Sequence, residues 1–459
     1  MNETVKGNRA GAPPSLSLLT KLNRLSETAR KNPRYQFENI AHLMNIEMLH
    51  WGFQELRKDA AVGVDGITAK EYESNLMSNL EDLYGRLKGG RYRAQPLRRT
   101  YIEKEDGKQR PLSIPGLEDK VCQKAAAELI SRIFENDFLP VSYGYRPGKS
   151  PHDALDAIRG DITLGNANYV LDADISDYFG SIVRGELLKI LQKRITDKHL
   201  LALIGKWLRV GVIEDGELLM SENGTYQGSV ISPVLANVYL HEVLDLWVER
   251  EVKPRLRGEM KLYRFADDFV ATFEYQEDAN KFLQVLPKRF EKFGLNLHPD
   301  KTRLIEFGRS AWAKGKKNGI KPDTFNFLGL THYCGSTRKG KFIVKVKTMS
   351  KRLRRGIKRV MEWCRKNRHR SLEEQHQQLR IVLYGHYAYY GRRTNFLSLR
   401  KFYRRVLSIW KKWLGRRGSG PVNWEHLLKI LERFPLPKPR LVQGSLRTRS
   451  QLKLFGEFI

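Results

Sequence analysis

The feature that most constrains the fold is a pair of adjacent carboxylates set between two short apolar runs. The runs, at 261–265 and 269–273, are rich in aromatic and β-branched residues. Two such runs separated by three residues predict a β-hairpin. Asp267 and Asp268 would then lie at its tip, where adjacent charges are costly unless a cation neutralises them. An ordinary polar turn exposed to solvent is the alternative explanation at this point.

A third carboxylate ends another apolar segment. Residues 168–175 predict a short strand with Asp174 near its C-terminal end. Three carboxylates that converge from two strands suit a pair of Mg²⁺ ions, with Mn²⁺ as a substitute, because these ions take oxygen ligands and share coordination with phosphates. Two such ions ~4 Å apart activate an attacking 3′-oxygen and stabilise the leaving pyrophosphate oxygen. The pattern therefore favours nucleotidyl transfer.

The charge balance indicates the class of partner. The 459 residues include 82 Lys and Arg against 51 Asp and Glu, a formal net charge of +31. Residues 338–417 alone hold 26 basic and 3 acidic side chains, so most of the excess lies in one stretch. Such a stretch is expected to follow a phosphate backbone and to bind less tightly as salt rises. An anionic membrane surface is the weaker alternative.

Composition disfavours several other classes of protein. The cysteines, Cys122, Cys334 and Cys364, form no C-x-x-C pair, which argues against a disulfide framework or zinc knuckle and fits a reducing compartment. No apolar stretch approaches the roughly 20 residues of a membrane span, and the first residues lack a signal-peptide pattern. We expect a cytoplasmic protein, and the sequence leaves its oligomeric state open.

The secondary-structure pattern changes along the chain. Up to about residue 335, helical and strand-like segments alternate, which predicts an α+β domain; one of the helices is expected over 33–58. Beyond that point apolar residues recur at helical spacing over 353–364 and 396–414, which predicts an all-helical stretch; we expect it to hold three helices. Residues 1–32 are expected to be a flexible basic lead-in. The end of the chain, 416–459, is expected to be a small Pro-rich tail with little helix.

Eight short motifs carry a resemblance to a known family. In chain order they are GVDGI (63–67), KQRPLSIP (108–115), YGYRP (143–147), DISDYF (174–179), QGSVISP (227–233), FADD (265–268), GLNL (294–297) with Lys301 and Thr302, and FLG (327–329). Between about residues 35 and 335 the chain resembles the reverse transcriptases of group II introns, in which these motifs occur in the same order. The basic helical stretch to about 415 is similar to the family's thumb, also called the maturase domain.

The resemblance implies an α+β right-hand polymerase followed by an all-helical thumb. The implied domains are fingers with an N-terminal extension (33–165), a palm with the catalytic site (166–335) and a thumb (336–415), between the lead-in and the tail. The implied activity is RNA-directed DNA synthesis, in which dNTPs extend a primer 3′-hydroxyl. The implied partners are structured intron RNA, an RNA template with a DNA primer, and dNTPs; target DNA stays open as a further partner, and no membrane is implied.

The resemblance also implies roles for individual residues. Asp174, Asp267 and Asp268 would be the catalytic carboxylates and, together with the Ile175 carbonyl, the metal ligands. The implied substrate-binding residues are Lys104, Arg110, Phe179, Gln227, Gly228 and Lys301. The implied nucleic-acid-binding residues are Lys351, Arg352, Arg354, Arg355, Lys358, Arg404 and Arg405.

Chemistry supports some of these roles more than others. The planar guanidinium of Arg110 suits a triphosphate, and a bulky ring at Phe179 would exclude a 2′-hydroxyl by steric clash. The ordinary alternatives are a core aromatic for Phe179, a turn glycine for Gly228 and a surface lysine for Lys301.

The sequence departs from the family pattern in two respects. Phe265 stands where the family commonly has Tyr, which removes a hydroxyl and leaves both carboxylates. The Cys and His pairs of a C-terminal zinc endonuclease are not found, so second-strand cleavage is not an expected activity. Two other functions stay open. One is a splicing cofactor that binds RNA without catalysing a reaction, although a protein that had given up polymerase activity would be expected to lose a carboxylate. A polymerase domesticated for defence or repair also stays open, and only the flanking DNA would distinguish it.

Overall fold

Helices make up most of the regular structure. The computed structural model describes residues 16–103, 107, 109–214, 216–220, 223–417 and 420–442. The helices are α1 (Leu16–Lys31), α2 (Ile46–Glu55), α3 (Ala69–Ser74), α4 (Leu76–Lys88), α5 (Leu117–Phe134), α6 (Pro151–Leu164), α7 (Tyr178–Ser181), α8 (Arg184–Gln192), α9 (Lys198–Arg209), α10 (Ser232–Leu240), α11 (Gln276–Glu291), α12 (Gly308–Asn318), α13 (Ser350–Lys366), α14 (Leu372–Tyr390), α15 (Phe396–Leu414) and α16 (Trp424–Arg433).

The strands pair mainly in antiparallel fashion. They are β1 (Leu97–Glu103), β2 (Gln109–Ile114), β3 (Tyr169–Ala173), β4 (Ile175–Ser176), β5 (Val212–Glu214), β6 (Glu217–Leu219), β7 (Met260–Phe265), β8 (Asp268–Phe273), β9 (Asn296–Leu297), β10 (Arg303–Glu306), β11 (Phe325–Phe327), β12 (Leu330–Ser336) and β13 (Phe342–Thr348). One sheet has the order β2-β1-β5-β6, in which only β1 and β5 run parallel, and another has the antiparallel order β11-β12-β13. This mixture of helices and antiparallel sheets confirms the expected α+β class.

Internal contacts divide the chain into two compact units. The first unit comprises residues 1–150 and 173–303, and the second comprises 151–172 and 304–459. The finer division into fingers, palm and thumb stays a prediction. Among the described helices, none combines the length and the apolar character needed to cross a membrane.

The core of the first unit is built around α5. Val121, Ala125 and Leu129 on this helix are 0% exposed, and both α1 and α2 pack against it. The flexible lead-in expected over 1–32 is wrong for the part that is described, because α1 occupies 16–31 and buries an apolar face. The buried residues of that face, such as Leu18 and Leu22, recur at helical spacing.

The single helix expected over 33–58 is also wrong. Only a short 3₁₀ turn at Ala41–Leu43 and helix α2 form there. The backbone amides of Ile40 and Ala41 donate instead to the carboxylate of Asp197, at 2.6 and 2.7 Å. A distant side chain thus satisfies amides that a continuous helix would have paired internally, and α2 begins only after Asn45, whose side chain accepts from Met48 N.

The second unit combines the β11-β12-β13 sheet with the helices that the sequence predicts beyond about residue 335. Helices α13, α14 and α15 confirm the three-helix pattern, and they share a core that includes the fully buried Trp410. The indole of Trp410 donates to Gln375 Oε1 at 3.0 Å, which ties α15 to α14. The tail expected to have little helix contains α16, which begins after Asn423, whose side chain accepts from His426 N.

Candidate active site

The two adjacent carboxylates lie at the hairpin tip, as the sequence predicts. Strands β7 and β8 pair with Phe265 opposite Asp268, so the connection between them is tight. Ala266 adopts a left-handed conformation there, with φ of 58°, which costs free energy for a residue other than glycine. Asp267 is half-buried and Asp268 is exposed, so both side chains stand at the accessible end of a buried hairpin.

Gly144 packs directly against this turn. A side chain at Gly144 would overlap the backbone of Ala266 and Phe265, so only glycine allows the approach. The carbonyl of Gly144 accepts a hydrogen bond from Asn237 Nδ2 at 2.7 Å, and Tyr143 N donates to Arg264 O at 2.8 Å. The YGYRP motif therefore packs against the turn at residues 265–268, which we call the carboxylate turn, and supports it.

A fully buried arginine holds the turn from inside the unit. The guanidinium of Arg264 pairs with Asp245 at 2.5 and 2.8 Å, and both side chains are 0% exposed. Its Nη1 also donates to Asn237 Oδ1 at 3.0 Å and to Ala266 O at 3.1 Å. One cation thus connects α10, the helical turn that follows it and the backbone of the carboxylate turn. The sequence reasoning missed this network, because a lone Arg within a strand gives no signal of its distant partners.

Asp174 receives a lysine from a distant segment. Strands β4 and β9 pair antiparallel, and His298 N donates to Asp174 O at 2.8 Å. The turn that follows is closed by Lys301 N and Thr302 N, which both donate to His298 O. This geometry lets Lys301 Nζ form an ion pair with the carboxylate of Asp174. Lys301 is thus a partner of the acidic site and not merely a surface lysine.

Electrostatics couple the carboxylates to two cations. Burial raises the pKa of Asp267 above its ordinary value, and the neighbouring charge of Asp174 raises it further. The charges of Arg110 and Lys301 act in the opposite direction and lower the same pKa. Residues from four separate parts of the chain are therefore close enough to influence one another's ionisation.

Tyr145 is a residue of this site that the sequence reasoning did not single out. Its side chain is 58% exposed although it is a large aromatic, and its φ of 56° is left-handed. Although the residue as a whole is exposed, the protein around its phenol desolvates that group and raises its pKa, with further increases from Asp267 and Asp268 and a decrease from Arg110. Tyr145 therefore faces the same space as these three residues. The available signal was its place in the YGYRP motif.

The QGSVISP motif approaches the strand that carries Arg110. Ser113 N on β2 donates to Gln227 O at 2.7 Å. Gly228 has a φ of 108°, and a side chain there would come within 2.8 Å of Ser113 O. Glycine is required both for the conformation and for the close approach, and the predicted role of Gly228 at the nucleotide stays a prediction. Arg110 lies exposed on the same strand.

Phe179 and Ile175 lie on the chain that follows Asp174. Phe179 is half-buried in the short helix α7, and its carbonyl accepts from Thr225 N at 2.7 Å. Gly224 allows the two segments to approach, since a side chain there would come within 3.0 Å of Phe179 O. Ile175 is buried at 3% exposure and pairs with Leu297. Lys104 lies outside the described residues.

The basic residues predicted to bind nucleic acid lie on α13 and α15. Exposed members are Lys351, Arg354, Lys358, Arg404 and Arg405; Arg352 and Arg355 are half-buried. The apolar residues between them, such as Val360 and Phe402, are buried. The stripes thus form a helical core, and the basic residues largely face away from it.

Within the part of the chain that the structure describes, no group of three or more His, Cys, Asp or Glu side chains is arranged to hold a metal ion. The donor set nevertheless fits a hard divalent cation, because it consists of carboxylate oxygens. Burial, followed by the neighbouring charge of Asp174, raises the pKa of Asp267, and a bound cation would offset both effects.

Comparison with known proteins identifies the family. Residues 102–332, about half of the chain, match the family model described as reverse transcriptase (RNA-dependent DNA polymerase). The group II intron-encoded protein LtrA of Lactococcus lactis subsp. cremoris is 32% identical over 266 residues, which cover 58% of this chain and 43% of LtrA. Protein YkfC of Escherichia coli (strain K12) is 35% identical over 198 residues, covering 42% of this chain and 52% of YkfC.

A third relative comes from a eukaryotic intron. The uncharacterized 91 kDa protein in the cob intron of Schizosaccharomyces pombe is 29% identical over 248 residues, covering 53% of this chain and 30% of that protein. The chain thus spans about half, or less, of the length of these relatives. The family match and the intron-encoded relatives agree with the motif order and with the carboxylate site. The chain belongs to the reverse transcriptase (RNA-dependent DNA polymerase) family and is similar to proteins encoded in introns, among them a group II intron-encoded protein.

Proposed function

We propose that this protein is an RNA-directed DNA polymerase of the group II intron type, which extends a primer 3′-hydroxyl with dNTPs on an RNA template. The observation that carries the proposal is the coupling of Asp174 and Asp267 with Lys301 and Arg110 at the end of a buried hairpin. We further propose that the fold is a right hand, with this site in the palm and α13–α15 as the thumb.

Asp174, Asp267 and Asp268, with the carbonyl of Ile175, would hold Mg²⁺ or Mn²⁺. When bound, two such ions supply electrostatic stabilisation to the attacking and leaving oxygens of nucleotidyl transfer. The protein supports this role with a turn fixed by Gly144 and by the buried Arg264. Rigid support of this kind reduces the reorganisation that catalysis requires.

The remaining residues of the site act on the nucleotide. Arg110 would bind the triphosphate through charge-assisted hydrogen bonds, with Lys104 as an expected helper. Lys301 Nζ is ion-paired with Asp174, and from there it would assist the departing pyrophosphate. Phe179 would lie under the sugar and exclude a 2′-hydroxyl, and the Gln227–Gly228 backbone would approach the incoming nucleotide and template.

RNA binding would be carried mainly by the second unit. The exposed basic residues of α13 and α15 suit a phosphate backbone, and a further cavity on α15 is lined by Arg400, Lys401, Arg404 and Arg405. This surface favours a second role, in which the protein binds intron RNA and assists splicing and mobility. The printed name of LtrA, a group II intron-encoded protein, supports intron RNA as the partner.

Primer extension on an RNA template with dNTPs and Mg²⁺ tests the proposal. We expect extension by the wild type and none by Asp267→Ala, whereas both should bind RNA equally, because binding is assigned to the second unit. Asp323→Ala is the matched control, since it removes an exposed carboxylate from a surface loop, and it should extend like the wild type. Extension by Asp267→Ala would refute the polymerase site. Wild-type RNA binding without extension would leave only the splicing role.

A further inference from the structure

Three arginines from two segments of the second unit converge on one cavity. Arg159 lies on α6, and Arg392 and Arg393 follow the end of α14. The cavity is lined by Asp156, Arg159, Arg392 and Arg393, with Leu441 and Val442. We call the four charged residues the arginine pocket. None of them belongs to the motifs or to the basic helix faces described above.

Two of the three arginines, Arg159 and Arg392, are anchored by contacts within the unit. Arg159 Nε donates to Val344 O at 3.0 Å. Arg392 is only 8% exposed and forms an ion pair with Asp156, whereas Arg393 is exposed. A guanidinium fixed in this way loses little side-chain freedom when it binds an anion. The lysines and arginines that project from α13 and α15 would lose more.

Positive charge in the pocket exceeds negative charge. Three guanidinium groups face one carboxylate, that of Asp156. Burial lowers the pKa of Arg159, and the charges of Arg392 and Arg393 lower it further, against the opposing effect of Asp156. Like charges held together in a partly desolvated site repel one another, and a bound anion relieves that repulsion.

We propose that the arginine pocket binds a phosphodiester group of RNA; this inference rests on the proposed function only in taking RNA as the partner. Forked guanidinium groups match the oxygens of a phosphate, and Leu441, at 42% exposure, offers an apolar wall beside them. The chain's own continuation is a poor occupant, because residues 443–459 hold three basic residues and one acid. They would add to the positive charge instead of neutralising it.

Fluorescence anisotropy with a labelled single-stranded RNA oligonucleotide, over a series of salt concentrations, tests the site. Arg393→Gln should weaken binding about threefold and Arg159→Gln with Arg393→Gln about tenfold at low salt. The slope of log affinity against log salt should become shallower by about 0.7 for each lost phosphate contact. Lys317→Gln with Lys321→Gln is the matched control, because it removes two exposed charges elsewhere in the same unit; its slope should match that of the wild type.

Asp156→Asn gives a test of opposite sign. Among the described residues that line the pocket, Asp156 supplies the carboxylate, and its removal should tighten RNA binding several-fold, an effect that loss of folding would not produce. Wild-type affinity and slope in both arginine variants, or an equal loss in the lysine control, would overturn the proposal. If Arg159→Gln disturbs folding in a thermal melt, the exposed Arg393→Gln decides the matter alone. Primer extension by the wild type is measured separately, so failure of the polymerase proposal would not be mistaken for failure of this site.

Discussion

The carboxylate turn depends on an ion pair that lies wholly inside the first unit. Arg264 and Asp245 have no exposed side-chain surface and form two hydrogen bonds, at 2.5 and 2.8 Å. Asp245→Asn would leave the guanidinium buried without a counter-charge while keeping the shape of the side chain. Since Arg264 also donates to Ala266 O, the substitution tests whether the buried pair supports the active site.

The magnitude follows from the burial of the pair. Removing one partner of a buried ion pair costs about 3–5 kcal/mol, a large part of a typical total stability of roughly 5–15 kcal/mol. Burial alone would raise the pKa of Asp245, but the charge and hydrogen bonds of Arg264 outweigh it, and the pKa is lowered. A lowered carboxyl pKa contributes stability at neutral pH that is lost as the pH falls. The difference in the free energy of unfolding between wild type and Asp245→Asn should therefore become smaller in acid.

Urea unfolding followed by circular dichroism, near neutral pH and at about pH 3, below the ordinary Asp pKa of about 3.9, measures both effects. Asp59→Asn is the control, because its pair with Arg57 is exposed at 71% and 55% and should contribute little. A loss below about 1 kcal/mol for Asp245→Asn near neutral pH, or a gap that widens in acid, would refute the reasoning.

A double substitution separates stability from activity. Asp245→Leu with Arg264→Leu removes both charges, and such replacements of buried pairs are often neutral or stabilising. We expect stability to recover largely while primer extension stays low, because the hydrogen bond to Ala266 O is lost. Full recovery of both would show that the pair stabilises the fold without positioning the turn.

Four further outcomes follow from the site. Asp267→Asn should raise the free energy of unfolding near neutral pH while abolishing synthesis. The raised pKa of Asp267 means that its ionised form destabilises the folded state, and Asn carries no charge. A lower free energy of unfolding in urea for the variant would contradict this. Lys301→Gln should move the acidic limb of the pH–activity profile to higher pH, since it removes a charge that lowers the same pKa; an unmoved limb would exclude that coupling. Phe179→Ala should raise ribonucleotide incorporation in a competition assay, and unchanged sugar selectivity would reject the steric role. Tyr145→Ala should raise the KM for dNTPs more than Tyr145→Phe, because the ring faces the nucleotide site; equal effects would assign the role to the hydroxyl.

Local sequence determined much of the secondary structure. The hairpin with Asp267 and Asp268 at its tip follows from two apolar runs and a short connection, and α9 and α15 follow from apolar residues at helical spacing. These elements satisfy their own backbone hydrogen bonds, so nearby residues suffice to specify them. Where a distant group competes for the backbone, as Asp197 does for the amides of Ile40 and Ala41, local pattern predicted the wrong structure.

The tertiary structure alone decided which side chains meet. Lys301 reaches Asp174 across 127 residues of sequence because the β4–β9 pairing and a tight turn bring it there. Tyr145 comes close enough to Asp267 and Asp268 to feel their charge, next to Gly144, which packs against Ala266. The sequence supplied the carboxylates, the basic stretch and the family. It left these pairings unspecified, because they depend on packing between segments far apart in the chain, where no local periodicity carries information about the partner.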